Sequence, residues 1–129
     1  MKWTVISREL IVKTLEELKA ILGITDKVKL ELRPLKTKAA SISIKKRVIR
    51  LNKYVVSRLD EVSLRYLILH ELVHLKLGTI YHTKDFYETM YRVSDRETVR
   101  KSEERILASL IELNCRDARR AASRLDDLF

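Results

Sequence analysis

The segment from Asp60 to Gly78 constrains the fold more than any other part of the chain. It reads Asp-Glu-Val-Ser-Leu-Arg-Tyr-Leu-Ile-Leu-His-Glu-Leu-Val-His-Leu-Lys-Leu-Gly. Leu64, Ile68, Leu72 and Leu75 recur at helical spacing and predict a buried stripe. Asp60 is placed to cap the first turn, and Gly78 stands where a left-handed residue would end the last one. His70 and His74 are separated by i, i+4, so on this helix they stand one turn apart on one face. Both imidazoles can therefore reach a single metal ion, with Glu71 projecting beside them toward its solvent side.

That spacing suits hydrolytic chemistry. A zinc ion held by three protein ligands keeps a position for water, lowers the pKa of that water toward neutrality and polarises a carbonyl oxygen. A neighbouring carboxylate can then take the proton. The third ligand expected here is His82. Gly78 ends the helix, and Thr79-Ile80-Tyr81 can return the chain toward the first two histidines. All three histidines of the protein, His70, His74 and His82, lie within thirteen residues. The plainer reading, histidines at the edge of an ordinary core, does not account for this grouping.

The rest of the chain predicts an α+β fold. Ile11, Leu15, Leu18 and Leu22 mark an N-terminal helix from about Ser7, ended by Gly23 and expected to cover a sheet. The period then changes to two. Val28, Leu30 and Leu32 alternate with charged residues, Ala40, Ile42 and Ile44 alternate with polar ones, and a third strand runs from Val48 to Leu51. Short connections predict antiparallel pairing of all three. A short helix from Thr83 follows. A long C-terminal helix is expected from Ser94, where Ser94-Asp95-Arg96-Glu97 has the form of a capping box. Its predicted apolar stripe is Leu107, Ile111, Cys115, Ala118, Ala122, Leu125 and Phe129. With no repeat and no linker-like stretch, residues 1–129 are expected to form a single domain.

Composition narrows the remaining choices. The lone Cys115 excludes an internal disulfide and a multi-thiolate metal site, and is expected to be a small buried residue. No uncharged run is long enough to span a membrane and the start lacks a secretory signal, so a cytoplasmic location is expected. The net charge of +9 is unevenly placed: residues 27–58 hold eleven Lys/Arg and one acid, Glu31. Such a basic face can attract phosphates, which makes nucleic acid an expected partner. A lysine-rich outer face that keeps sheet edges apart explains the same residues more simply.

The run His70-Glu71-Leu72-Val73-His74-Leu75, followed by His82-Thr83-Lys84-Asp85-Phe86, resembles the HExxHL…HxxxF pattern of YgjP-like and SprT-like (Spartan-related) zinc metallopeptidases. A strand ending in Leu51-Asn52 before the metal helix is similar too, so the resemblance spans roughly residues 40–90. It implies a minimal zincin-like domain: an N-terminal helix on a small antiparallel sheet, the metal helix, then C-terminal helices. It also implies one Zn2+ bound by His70, His74 and His82, with Glu71 as catalytic acid/base in hydrolysis of a protein or peptide substrate. The SprT-like side of the resemblance implies DNA-associated substrates. The interval from His74 to His82 falls between the two families, and a gluzincin-like site would instead take Glu103 or Glu104 as third ligand. Phe86 is expected to pack beneath the metal helix, while Tyr81 and Tyr87 are either packing residues or groups that polarise the carbonyl. The alternative function is a basic nucleic-acid-binding module with a structural or vestigial zinc site. A third is an inactive precursor whose C-terminal helix blocks the cleft.

Overall fold

The structure, a computed structural model, describes residues 7–35 and 38–113. Helix α1 (Arg8–Leu22) starts where Ser7 Oγ accepts from the Leu10 amide and stops at Gly23, whose φ of +73° a side-chain-bearing residue adopts only under strain. It buries Ile11, Leu15, Leu18 and Leu22, and packs mainly on the central helix α3 (Glu61–Leu77). Strands β1 (Lys29–Arg33), β2 (Ala40–Ser43) and β3 (Val48–Asn52) come between, followed by the short α2 (Lys53–Val56). Helices α4 (Lys84–Val93) and α5 (Arg96–Glu112) complete the α+β fold, and both contact α3.

The sheet corrects the expectation of uniform antiparallel pairing. Its order is β1-β3-β2; β2 and β3 form the expected antiparallel hairpin, but β1 runs parallel to β3. The cause is the distribution of apolar residues. β3 carries fully buried Ile49 and Leu51 and takes the centre, whereas β1 is the more polar strand and lies at an edge. On one face the rows Leu30-Ile49-Ile42 and Leu32-Leu51-Ala40 cross the sheet, fading outward to Leu32, which is 42% exposed. On the other face Arg50 reaches across to Glu31.

Asn52 holds the crossover that makes this order possible. Its buried amide donates to the carbonyls of Leu35 and Lys38, and its oxygen accepts from the Tyr54 amide. Both amide hydrogens thus pin the connection between β1 and β2, and the oxygen caps α2. The β2–β3 turn is closed by Arg47, in the left-handed region at φ 56°. Its guanidinium pairs with Asp26 and donates to the Leu75 carbonyl, tying the hairpin to the end of α3.

Two further expectations need correction. The cap of α5 is Asp95 rather than Ser94: the Asp95 carboxylate accepts from the Thr98 amide, while Ser94 ends α4 in an extended conformation. The buried face of α5 is centred on Val99, Ile106 and Leu110, which leaves Leu107 and Ile111 on its flank. Cys115, Ala118, Ala122, Leu125 and Phe129 lie outside the described residues. Among the described residues, no helix is long and apolar enough to cross a membrane.

Candidate metal centre

Helix α3 is buried almost all round, with Leu64, Leu67, Ile68 and Leu72 fully enclosed. This rigid setting fixes where His70 and His74 point. The chain leaves α3 at Gly78, whose φ of +67° makes the turn, and re-enters a helix at Thr83, whose hydroxyl accepts from the Phe86 amide. His82 is carried on the intervening loop and comes to face the other two histidines.

The three rings converge. One ligand nitrogen from each of His70, His74 and His82 lies within 4.8 Å of the others, and the ring centroids are separated by 4.8 to 5.0 Å. His70 Nε2 and His82 Nε2 are 3.0 Å apart. Nitrogens bound tetrahedrally to one zinc at about 2.0–2.1 Å would be separated by roughly 3.4 Å, so small side-chain rotations suffice to close the site. Among the described residues this is the one group of three or more His, Cys, Asp or Glu side chains arranged to hold an ion. His74 Nδ1 lies 2.9 Å from the Thr79 carbonyl, which can only accept; the hydrogen is therefore on Nδ1 and Nε2 is left with its lone pair. Phe86, 1% exposed, lies beneath all three imidazoles, 4.6 to 4.9 Å from their centroids.

Glu71 is 0% exposed, and neither carboxylate oxygen has a hydrogen-bond partner among the described residues. Burial pushes its pKa up to about 8, against a smaller opposing influence from Lys38. A buried carboxyl group without a partner is costly unless a cation or substrate completes its surroundings. Desolvation, followed by the neighbouring imidazoles, holds His70 well below the usual histidine pKa, so it presents a neutral ring. Neutral imidazole is the metal-binding form.

The other expected residues fall in different places. Tyr81 is strongly exposed, whereas Tyr87 is only partly so and stacks on Tyr91. Glu104 pairs with Arg100 on the exposed side of α5. Glu103 is hydrogen-bonded to Tyr66, which in turn lies 3.2 Å from His70 Nδ1. Sequence reasoning missed Tyr66, although its i, i+4 relation to His70 places both on one helix face. Four bases of the 27–58 stretch, Lys29, Arg47, Arg50 and Arg58, make ion pairs within the protein.

A sequence profile of the YgjP-like metallopeptidase domain matches residues 5–108. The chain belongs to the YgjP-like metallopeptidase family. Its relatives include two proteins termed uncharacterized: aq_aa15 of Aquifex aeolicus, 42% identical over 70% of this chain and 81% of its own length, and MJ0123 of Methanocaldococcus jannaschii, 39% identical over 70% and 82%. Solved structures that share the fold include two zymogens. The metallopeptidase zymogen of Pyrococcus abyssi abylysin has a TM-score of 0.72 and 37% identity, covering 78% of this chain and 94% of that one. The metallopeptidase zymogen of Methanocaldococcus jannaschii jannalysin has a TM-score of 0.71 and 36% identity, covering 78% and 96%. This YgjP-like chain is thus a protease with a metal cofactor, acting on protein or peptide substrates.

Proposed function

We propose that this metallopeptidase is a zinc enzyme in which His70, His74 and His82 hold the ion and Glu71 is the general acid/base. The observation that carries the reading is the convergence of three imidazoles beside a buried carboxyl group that has no hydrogen-bond partner among the described residues. A set of three nitrogen donors suits zinc, and when bound the ion supplies Lewis acidity toward a carbonyl and toward water. The positive charge would favour the ionised form of Glu71, offsetting the burial that otherwise keeps it protonated. Glu71 then accepts a proton from water and delivers it to the departing amine. An extended substrate would lie alongside β2, the sheet edge that contacts α3.

Glu71→Gln tests the assignment. Zinc binding should survive while peptide hydrolysis disappears; retained hydrolysis would remove Glu71 from the mechanism. The alternative binding module has no use for a buried carboxyl group beside the histidines, and would be unaffected by this change.

The substrate and its delivery are further parts of the proposal. DNA-associated proteins remain a substrate class to test through the exposed lysines of residues 27–58, by comparing cleavage of a DNA-bound and a free protein as salt is raised. Because the abylysin and jannalysin structures are of zymogens, a latent form is a second reading. It expects peptide cleavage to rise when the chain ends at Leu113, and no gain would count against it.

A further inference from the structure

An imidazole that binds a metal through one nitrogen needs its hydrogen on the other, so the partner of that second nitrogen decides whether the ring is ready. At His74 the partner is a carbonyl and the outcome is fixed. At His70 it is the hydroxyl of Tyr66, 3.2 Å from Nδ1, and a hydroxyl can either donate or accept.

Glu103 removes that ambiguity. Its side chain is hydrogen-bonded to the same phenol, and a carboxylate only accepts. The single phenolic hydrogen is therefore directed to Glu103, which leaves the oxygen to accept from His70 Nδ1–H. His70 Nε2 then carries a lone pair directed at the shared site, where it lies 3.0 Å from His82 Nε2. Tyr66 is 4% exposed and lies one turn before His70 on α3, so its position is set by the packed helix.

We propose that Tyr66, oriented by Glu103 on α5, is a positioning residue that sets the tautomer and ring orientation of His70 for metal binding. The inference rests on the reading of His70 as a ligand. It also gives α5 a role at the site: the helix holds the acceptor that orders the chain Glu103, Tyr66, His70.

The test uses Tyr66→Phe in the full chain, with Ile106→Val as a control that disturbs α5 packing without removing a hydrogen bond. Tyr66 is changed rather than Glu103 because removing a carboxylate would also alter the charge around the metal. Zinc affinity is measured by competition with a chromophoric chelator, and the imidazole tautomers of the metal-free wild type are read by 15N NMR. The expected results are hydrogen on Nδ1 of His70, zinc binding about 10 to 100-fold weaker in Tyr66→Phe, and unchanged affinity in Ile106→Val. A Tyr66→Phe affinity within twofold of wild type would overturn this inference alone, as would hydrogen on His70 Nε2 in the metal-free wild type. A wild type that binds no zinc would instead overturn the metal-centre reading and this inference with it. The NMR measurement on wild type decides the matter even if Tyr66→Phe fails to fold.

Discussion

Relative to Glu71→Gln, the metal-free wild type should lose stability as pH rises through the range where Glu71 ionises. The carboxyl group is fully enclosed without a hydrogen-bond partner among the described residues, and its pKa is raised from an ordinary 4.5 to about 8. A raised pKa means that the folded state holds a proton which the unfolded state has released. The stabilisation is complete below pH 4.5, and is lost as pH rises through about 8. At about 1.4 kcal/mol for each pKa unit, the full difference is about 5 kcal/mol, an upper bound because water entry and side-chain relaxation would lower it. For a chain of this size that corresponds to a shift on the order of 15 °C in Tm. Chelator-treated wild type and Glu71→Gln would be unfolded thermally and in urea at intervals between pH 4 and pH 9. The amide adds a burial cost that does not vary with pH, so the diagnostic quantity is the change in the difference between the two proteins. That difference should move in favour of Glu71→Gln with rising pH and shrink when zinc is restored. Parallel curves across the whole range would show that Glu71 does not carry a raised pKa in the folded protein.

Two packing predictions follow from the same structure. Phe86→Ala removes the ring beneath all three imidazoles and should cost about 3–5 kcal/mol by urea unfolding, together with a measurable loss of zinc affinity; retained affinity would show that the ring does not support the site. Asn52→Ala strips the crossover of two carbonyl partners and the cap of α2, and should cost about 2–4 kcal/mol, read as a lower urea midpoint with faster amide exchange around residues 38–40.

The parts of the fold that were legible in the sequence are those decided locally. Ser7, Asp60 and Thr83 each bring an oxygen to an amide three residues on, and Gly23 and Gly78 supply left-handed ends, so the starts of three helices and the ends of two could be read from residue chemistry alone. The facing of His70 and His74 also follows from helical spacing, and only a short loop separates them from His82. The sheet order was not legible, because it depends on which strand buries most surface after all three meet. Nothing within residues 29–33 specifies that their neighbour will be 48–52 in parallel. The start of α5 was misread for a more local reason: Ser94 and Asp95 are both capping residues, and the end of α4 claims the first. Tyr66 drew no reading of its own, because its neighbours on the helix, Leu69 and Val73, are apolar, while its partner Glu103 lies 37 positions away on another helix.

In the proposed enzyme one metal ion is shared by His70, His74 and His82. Elemental analysis of the purified protein, set beside His74→Ala and His82→Ala prepared in the same way, tests it most directly. The expected result is about one zinc per wild-type chain and little or none in either variant. A full equivalent retained by His82→Ala would contradict the three-histidine site, and a wild type without bound metal would contradict the metal centre itself.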